Sequence, residues 1–308
     1  MPIGSAFLES IAMKPIVCCT RALVIALLLS SCGMVNATRR ALIIGIGAYA
    51  PQTGWATISG DRDVPNVRQM LISKGFEPAH IATLTNESAT AEGIRQALRT
   101  LIDESQKGDF VYIHFSGHGQ RITDTSGDEQ SGFDEAWVPY DAQLRYEQPS
   151  GLIFKSGGYA GQNHLVDDEL NEYLHSIRER VGKSGHIIVI ADACHSGGGS
   201  RLADDKEENK LVVRGTSDDF IIPQSVTTQQ VGNHPVEWIY ISACKSNQCN
   251  YEYQGSGSLT YALMALSDRF EKMSCEQLQR ELRRMYRDLV PFVQTPTVES
   301  SQEQQSFF

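Results

Sequence analysis

His186-Ile187-Ile188-Val189-Ile190-Ala191-Asp192-Ala193-Cys194-His195-Ser196-Gly197-Gly198 is the stretch whose reading decides the fold. Its opening run is apolar and rich in β-branched residues, with the length of a buried strand. A cysteine then stands at the strand's exit, the sheet edge where active sites of open α/β folds gather. Upstream, Val111-Tyr112-Ile113-His114-Phe115-Ser116-Gly117-His118-Gly119 repeats the design with a histidine. Two apolar strands each deliver one reactive side chain past a glycine-bounded turn, which is the layout of a Cys/His hydrolase.

Working outward, Ala41 to Ile46 reads as the first parallel strand and Pro65 to Lys74 as a helix with Val67, Met70 and Leu71 inward. Ile81 to Leu84 is a second strand, and Thr90 caps a helix running to about Asp103. With the strand ending in His118 this makes β-α-β-α-β, implying right-handed crossovers and a mainly parallel sheet covered by helices. Asp167 to Val181 is a helix leading into the Cys194 strand. A strand over Glu237 to Ala243 and helices over Ser258 to Leu266 and from Ser274 to Leu289 follow. Two long polar loops interrupt the pattern, Gln120 to Gly161 and Gly197 to Gln230, of which the first holds short strands at Ala136 to Pro139 and Gly151 to Phe154. Long loops of this kind tend to be functional. The last ten residues read as a frayed polar tail. No internal repeat is visible, and one domain over 38–300 is expected, with 301–308 as tail.

The chain has 308 residues, 41% hydrophobic, and a formal charge of -10. That is enough apolar content for a sizeable core, and the acidity argues against a nucleic-acid partner, which wants dense Lys and Arg. Lys14 and Arg21 precede an apolar run from Ala22 to Leu29, a secretory pattern too short for a retained membrane helix. Two cleavage readings compete. Leu29-Ser30-Ser31-Cys32 resembles a lipoprotein box that removes 1–31 and acylates Cys32; Val35-Asn36-Ala37 suits ordinary cleavage after 37. Either places the chain at the cell envelope, periplasmic or lipid-anchored. Cys32, Cys194, Cys244, Cys249 and Cys275 form no disulfide framework for a domain this size, although Cys244 and Cys249 could pair in an oxidising compartment.

The sequence resembles the metacaspases, caspase-like cysteine peptidases. The carrying pieces are Arg40 to Ile46, Gly60-Asp61-Arg62-Asp63-Val64-Pro65-Asn66, Phe115-Ser116-Gly117-His118-Gly119 and Gly132-Phe133-Asp134-Glu135. Leu165 to Leu170, Asp192 to Gly197, Tyr240 to Cys244, Gly257 to Leu263 and Gln294-Thr295-Pro296 complete the set. The animal-caspase signature Gln-Ala-Cys-x-Gly is absent, and the family's Cys-containing pattern is replaced at Asp61-Arg62. The resemblance implies a caspase-like three-layer α/β sandwich, a bacterial secreted member, and a monomer.

Cys194 is the expected nucleophile and His118 its general base and acid. The amides of Gly119 and Cys194 are candidates for an oxyanion hole. His195 is a weaker alternative base, His114 is expected to pack or bond locally, and no carboxylate is assigned to orient His118. By the resemblance, Asp63 and Asp192 line a pocket for Arg or Lys before the scissile bond, with Ser116 adding a hydrogen bond; a carboxylate pair suits a guanidinium and repels an acidic side chain. Substrates are therefore expected to be proteins or peptides with basic residues. The chemistry requires no cofactor. Acidic residues Asp124, Asp128, Glu129, Asp134, Glu135, Asp167 and Asp168 offer the oxygens that Ca²⁺ wants. The resemblance narrows the ligands to Asp134, Asp167, Asp168 and a loop residue, Asp204 or Asp205, with Ca²⁺ as activator. The loop after Cys194 carries Arg201, Lys206, Lys210 and Arg214 as candidate self-cleavage points.

Overall fold

The computed structural model describes residues 37–147, 158–194, 212–223, 237–290 and 293–300. These belong to one compact unit, Ala37–Phe308. The readings placed on the leader, Cys32, Gly151 to Phe154, His195, Arg201, Asp204, Asp205, Lys206 and Lys210 lie outside the described residues.

The elements are β1 (Arg39–Gly45), α1 (Gly60–Ser73), β2 (Ile81–Thr85), α2 (Ala91–Glu104), β3 (Phe110–Ser116), β4 (Gly119–Thr123), β5 (Phe133–Trp137) and β6 (Leu165–Val166). After them come α3 (Asp167–Val181), β7 (His186–Asp192), β8 (Ile239–Ser242), β9 (Glu252–Tyr253), β10 (Ser256–Gly257), α4 (Ser258–Leu266), α5 (Cys275–Leu289) and β11 (Thr297–Ser300). The main sheet has the order β11-β8-β7-β3-β1-β2. All of its pairings are parallel except β11 with β8. Successive side chains leave a strand on opposite faces, so Ile43 and Ile44 enter different cores. One core joins the sheet to Val67 and Leu71 of α1, Leu263 of α4 and Leu278 of α5. The other joins it to Ile94 and Leu98 of α2 and Leu174 and Ile177 of α3. Helix, sheet, helix is the expected three-layer α/β sandwich.

Register sets the chemistry. Ser116 of β3 lies opposite Asp192 of β7, so His118 and Cys194, each two residues further on, emerge side by side at one sheet edge.

Four local expectations need correction. Helix α1 begins at Gly60, five residues before Pro65. Asp61 and Asp63 in its first turn suit the positive end of the helix dipole. Only glycine fits at its start, since a Cβ on Gly60 would sit 2.4 Å from the Ser116 carbonyl oxygen. Strand β4 pairs antiparallel with β5 inside what the sequence presents as loop. Residues 297–300 form β11 on β8, although the residues from 299 on read as tail; an exposed edge strand is polar, and its composition hides it. Finally, residues 212–223 are docked, with Arg214 and Phe220 both buried.

Candidate active site

His118 follows β3 and is buried. Its backbone N–H donates to the Tyr49 hydroxyl at 2.7 Å, and Trp55 stacks on its ring with centroids 4.8 Å apart. The ring Nε2 lies 2.9 Å from the Ala56 carbonyl oxygen. A carbonyl only accepts, so Nε2 carries the hydrogen and Nδ1 is left with a lone pair. Nδ1 is buried and has no hydrogen-bond partner. Burial pushes the His118 pKa down to about 4, keeping the ring neutral near pH 7. His118 is thus fixed in the tautomer whose Nδ1 can accept a proton, and a backbone carbonyl does the orienting that no carboxylate was assigned to do. His114 is buried between the Tyr112 hydroxyl at 3.3 Å and the Thr260 hydroxyl at 3.1 Å, a local role as expected.

Cys194 follows β7, fully buried, its Sγ donating to the Gln248 carbonyl oxygen at 3.1 Å. Its amide donates at 2.8 Å to the carbonyl oxygen of Arg214, and the Gly119 amide points at the same oxygen from 3.4 Å. The two expected oxyanion donors therefore converge on a peptide carbonyl of this same chain.

The Arg214 side chain fills the expected basic-residue pocket. Its Nη2 is 3.0 Å from Asp63 Oδ2, its Nη1 bonds the Ser116 hydroxyl, and Asp192 Oδ1 is 3.9 Å from Nη1. A third carboxylate, Glu252 at the start of β9, meets both Nε and Nη2 at 3.1 Å. Glu252 also accepts from the amide and hydroxyl of Ser59, which anchors it. Sequence reasoning missed Glu252; the alternation Tyr251-Glu252-Tyr253 was the available signal. Burial raises the Asp63 pKa while the Arg214 charge lowers it. For Arg214, burial works against the charge, but Asp192, Asp63 and Glu252 outweigh it and hold the guanidinium firmly protonated. Asp192 also braces the neighbouring elements. Its Oδ2 accepts from the Thr260 amide at 2.7 Å in the first turn of α4, and its Oδ1 from Asn250 at 2.7 Å. Asp61 stays outside this group, with Asn86 reaching its carboxylate at 3.3 Å.

The backbone around Arg214 is held as an added strand. Glu252 N donates to Val212 O and Arg214 N to Asn250 O, both at 2.9 Å, and Val213 bridges Tyr251 antiparallel. Main-chain pairing with alternate side chains in pockets is a common way of binding extended peptide. Gly215 follows, packed so closely that a Cβ there would lie 2.7 Å from the Cys194 carbonyl oxygen and 2.9 Å from its Cβ. Beyond it, Arg121 pairs with Asp219 at 2.7 Å, and Phe220 bridges Ile122 of β4.

Away from this edge, carboxylate oxygens of Asp124, Asp128 and Asp134 lie within 4.8 Å of one another. Asp134 is buried, with Oδ1 lacking a hydrogen-bond partner. Burial, then the charges of Asp167, Asp124, Asp168 and Asp128, push its pKa up to about 8. Asp168 is raised by burial and by Asp128. The expected ligands Asp134, Asp167 and Asp168 thus share one electrostatic cluster with Asp124 and Asp128.

A doubly covered, mainly parallel sheet delivering a cysteine and a histidine from adjacent strands defines a caspase-like α/β protein. The family model for the caspase domain matches residues 38–308, and the chain belongs to that family. It is similar to metacaspase-1 of Schizosaccharomyces pombe, 28% identical over 294 residues, covering 80% of this chain and 64% of that protein. It is also similar to metacaspase-7 of Arabidopsis thaliana, 33% identical over 177 residues, covering 55% of this chain and 37% of that protein. The chain spans less than two thirds of the length of these curated relatives. A crystal structure of a Geobacter sulfurreducens protein shares the fold, with a TM-score of 0.61 and 24% identity over 88% of this chain and 98% of the other.

Proposed function

We propose that this chain is a cysteine endopeptidase that cleaves after arginine or lysine, and that it starts as a latent form which cuts its own Arg214–Gly215 bond. One observation carries the reading. Arg214 lies in a pocket of three carboxylates while its carbonyl oxygen faces the amides of Cys194 and Gly119. That is the pose of a substrate residue before a scissile bond. Membership of the caspase domain family supports the same chemistry.

In this mechanism His118 Nδ1 takes the Cys194 thiol proton, and Sγ turns from Gln248 to attack the Arg214 carbonyl carbon. The developing oxyanion stays on the two amides, where preorganised donors are worth most. His118 then protonates the departing Gly215 nitrogen, leaving a thioester. Water attacks with His118 as base, freeing the Arg214 carboxylate and restoring the thiol. An outside substrate would enter once residues 212–214 leave the groove. The planar guanidinium contacts favour arginine over lysine, because Glu252 is placed to meet two of its nitrogens at once.

The acidic cluster fits Ca²⁺: a hard cation takes carboxylate oxygens, and Asp134 Oδ1 is a buried acceptor without a donor. Asp124, Asp128, Asp134, Asp167 and Asp168 would hold it, relieving their repulsion and bracing β5, and through β4 the Gly119 edge. Delivery to the envelope by the leader, with or without a lipid on Cys32, is part of the reading, as is a monomer with short polar β11 closing one sheet edge.

The test is hydrolysis of matched fluorogenic peptides ending in Arg, Lys or Asp by residues 38–308, with Ca²⁺ and with chelator, beside Cys194→Ala. Ca²⁺-stimulated cleavage after Arg and Lys, lost in the variant, supports the reading. Cleavage after Asp would overturn the pocket assignment, and activity in Cys194→Ala would overturn the nucleophile.

A further inference from the structure

Cys244, just past the end of β8, takes no part in the mechanism above, yet it lies against the nucleophile. Its Sγ donates to the Gln248 carbonyl oxygen at 3.2 Å, the same oxygen that Cys194 Sγ meets at 3.1 Å. Cys244 Sγ also lies 3.8 Å from the Ala193 carbonyl oxygen, one residue before the nucleophile. The two cysteines leave adjacent parallel strands, with Ala191 opposite Ser242 and the Ala243 amide donating to the Ala191 carbonyl oxygen at 3.0 Å. Past the strand ends the two sulfurs converge on the one Gln248 carbonyl oxygen, at 3.1 and 3.2 Å, which places them close to each other. Both cysteines belong to one packed, buried cluster.

We infer that Cys194 and Cys244 form a reversible disulfide, with Cys244 as the resolving thiol that protects the nucleophile against peroxide. The inference rests on the peptidase reading for its consequence and on geometry for the bond itself. Cys244 lines a cavity of about 900 Å³ whose other walls include Lys245, Trp238 and Tyr240 and not Arg214. Cys194 is the thiol expected to react first. His118 can take its proton, whereas the adjoining Cys194 thiol and burial push the Cys244 pKa up and keep that thiol protonated. The Cys194 thiolate attacks hydrogen peroxide, giving Cys194 sulfenic acid and hydroxide. The Cys244 sulfur then attacks that sulfur, its proton leaves with the displaced oxygen as water, and the S–S bond forms. In all, two thiols lose two electrons and two protons while one peroxide becomes two waters. The product has no nucleophile, and thiol reductants restore it.

The test treats full-length wild type, Cys244→Ser and Cys249→Ser with graded hydrogen peroxide, then maps disulfides by non-reducing peptide mass analysis and assays activity before and after dithiothreitol. Wild type and Cys249→Ser should each yield a Cys194–Cys244 peptide pair. Their lost activity should return with dithiothreitol. Cys244→Ser should lose activity at the same dose without recovery, with Cys194 found as sulfinic acid. A Cys244–Cys249 pair instead, or equal recovery in Cys244→Ser, overturns the inference. Disulfide mapping needs no turnover, so failure of the peptidase reading would show separately as an inactive but correctly cross-linked protein.

Discussion

Replacing Arg214 with glutamine probes the pocket directly. The arginine side chain is fully buried, and its partners Asp63 and Glu252 are 1% and 7% exposed, so solvent screens these pairs little. Removing one partner of a buried charge network costs roughly 3–5 kcal/mol, because the remaining charges lose their compensation. At about 1.4 kcal/mol per decade, docking of 212–215 weakens by roughly two to three and a half powers of ten. Self-cleavage at Gly215 should slow on the order of a hundredfold or more, followed as a time course of intact mass. A pH series gives an independent readout. Burial already raises the Asp63 pKa above 3.8, and the Arg214 charge is the largest influence opposing it, ahead of the Ser116 and Ser256 hydroxyls. In Arg214→Gln the folded-state value rises further, so the folded state binds that proton more tightly than the unfolded chain does. Such a group favours folding when protonated and loses that advantage as pH rises. The stability deficit of the variant, measured by urea unfolding, should therefore be small in acid and grow towards pH 8. Cleavage at Gly215 within threefold of wild type, or a deficit independent of pH, would refute the reasoning.

Three further outcomes follow from the same geometry. With the His118 pKa pushed down to about 4, the rate of self-cleavage should stay level from pH 8 to about 5 and fall only below that; a midpoint near the ordinary imidazole value of about 6.5 would count against the buried neutral base. Gly215→Ala sets a methyl against the backbone of Cys194, 2.7 Å from its carbonyl oxygen, and should slow self-cleavage by about tenfold or more while leaving hydrolysis of an added arginine peptide by precut enzyme unchanged. Asp134, raised to about 8, destabilises the fold increasingly as pH climbs from about 4 towards 8. Asp134→Asn should accordingly raise Tm at pH 8 in chelator and abolish the Tm increase that Ca²⁺ gives wild type; equal Ca²⁺ shifts in both proteins would exclude Asp134 as a ligand.

Much of this site is legible in the sequence because strands announce themselves. The apolar runs of β3 and β7 end where periodicity says they must, and parallel register then brings His118 and Cys194 together. Gly119 comes with His118 as its neighbour past the strand end, and Asp63 and Asp192 through the family resemblance. What the sequence hides is set by tertiary pairing. Of four basic residues marked in one loop, only Arg214 is seen in the pocket, and the other three lie outside the described residues. Val212-Val213 before it was the local hint, a short β-branched pair able to add to the strand at Tyr251. Glu252 carries only the brief alternation from Tyr251 to Tyr253 and the Ala56 carbonyl no pattern at all, since each acts through its position in space. Strands β4 and β11 escaped for a related reason: short, polar, edge-like segments lack the apolar alternation by which strands are recognised.

The most direct test of the central claim is to purify wild type and Cys194→Ala in parallel, incubate both, and determine fragment masses and new N-termini. One primary break is expected, giving a fragment that ends at Arg214 and another that begins at Gly215, with Cys194→Ala intact. The same break in Cys194→Ala, or a folded wild type that stays whole under Ca²⁺, would contradict self-cleavage by this site.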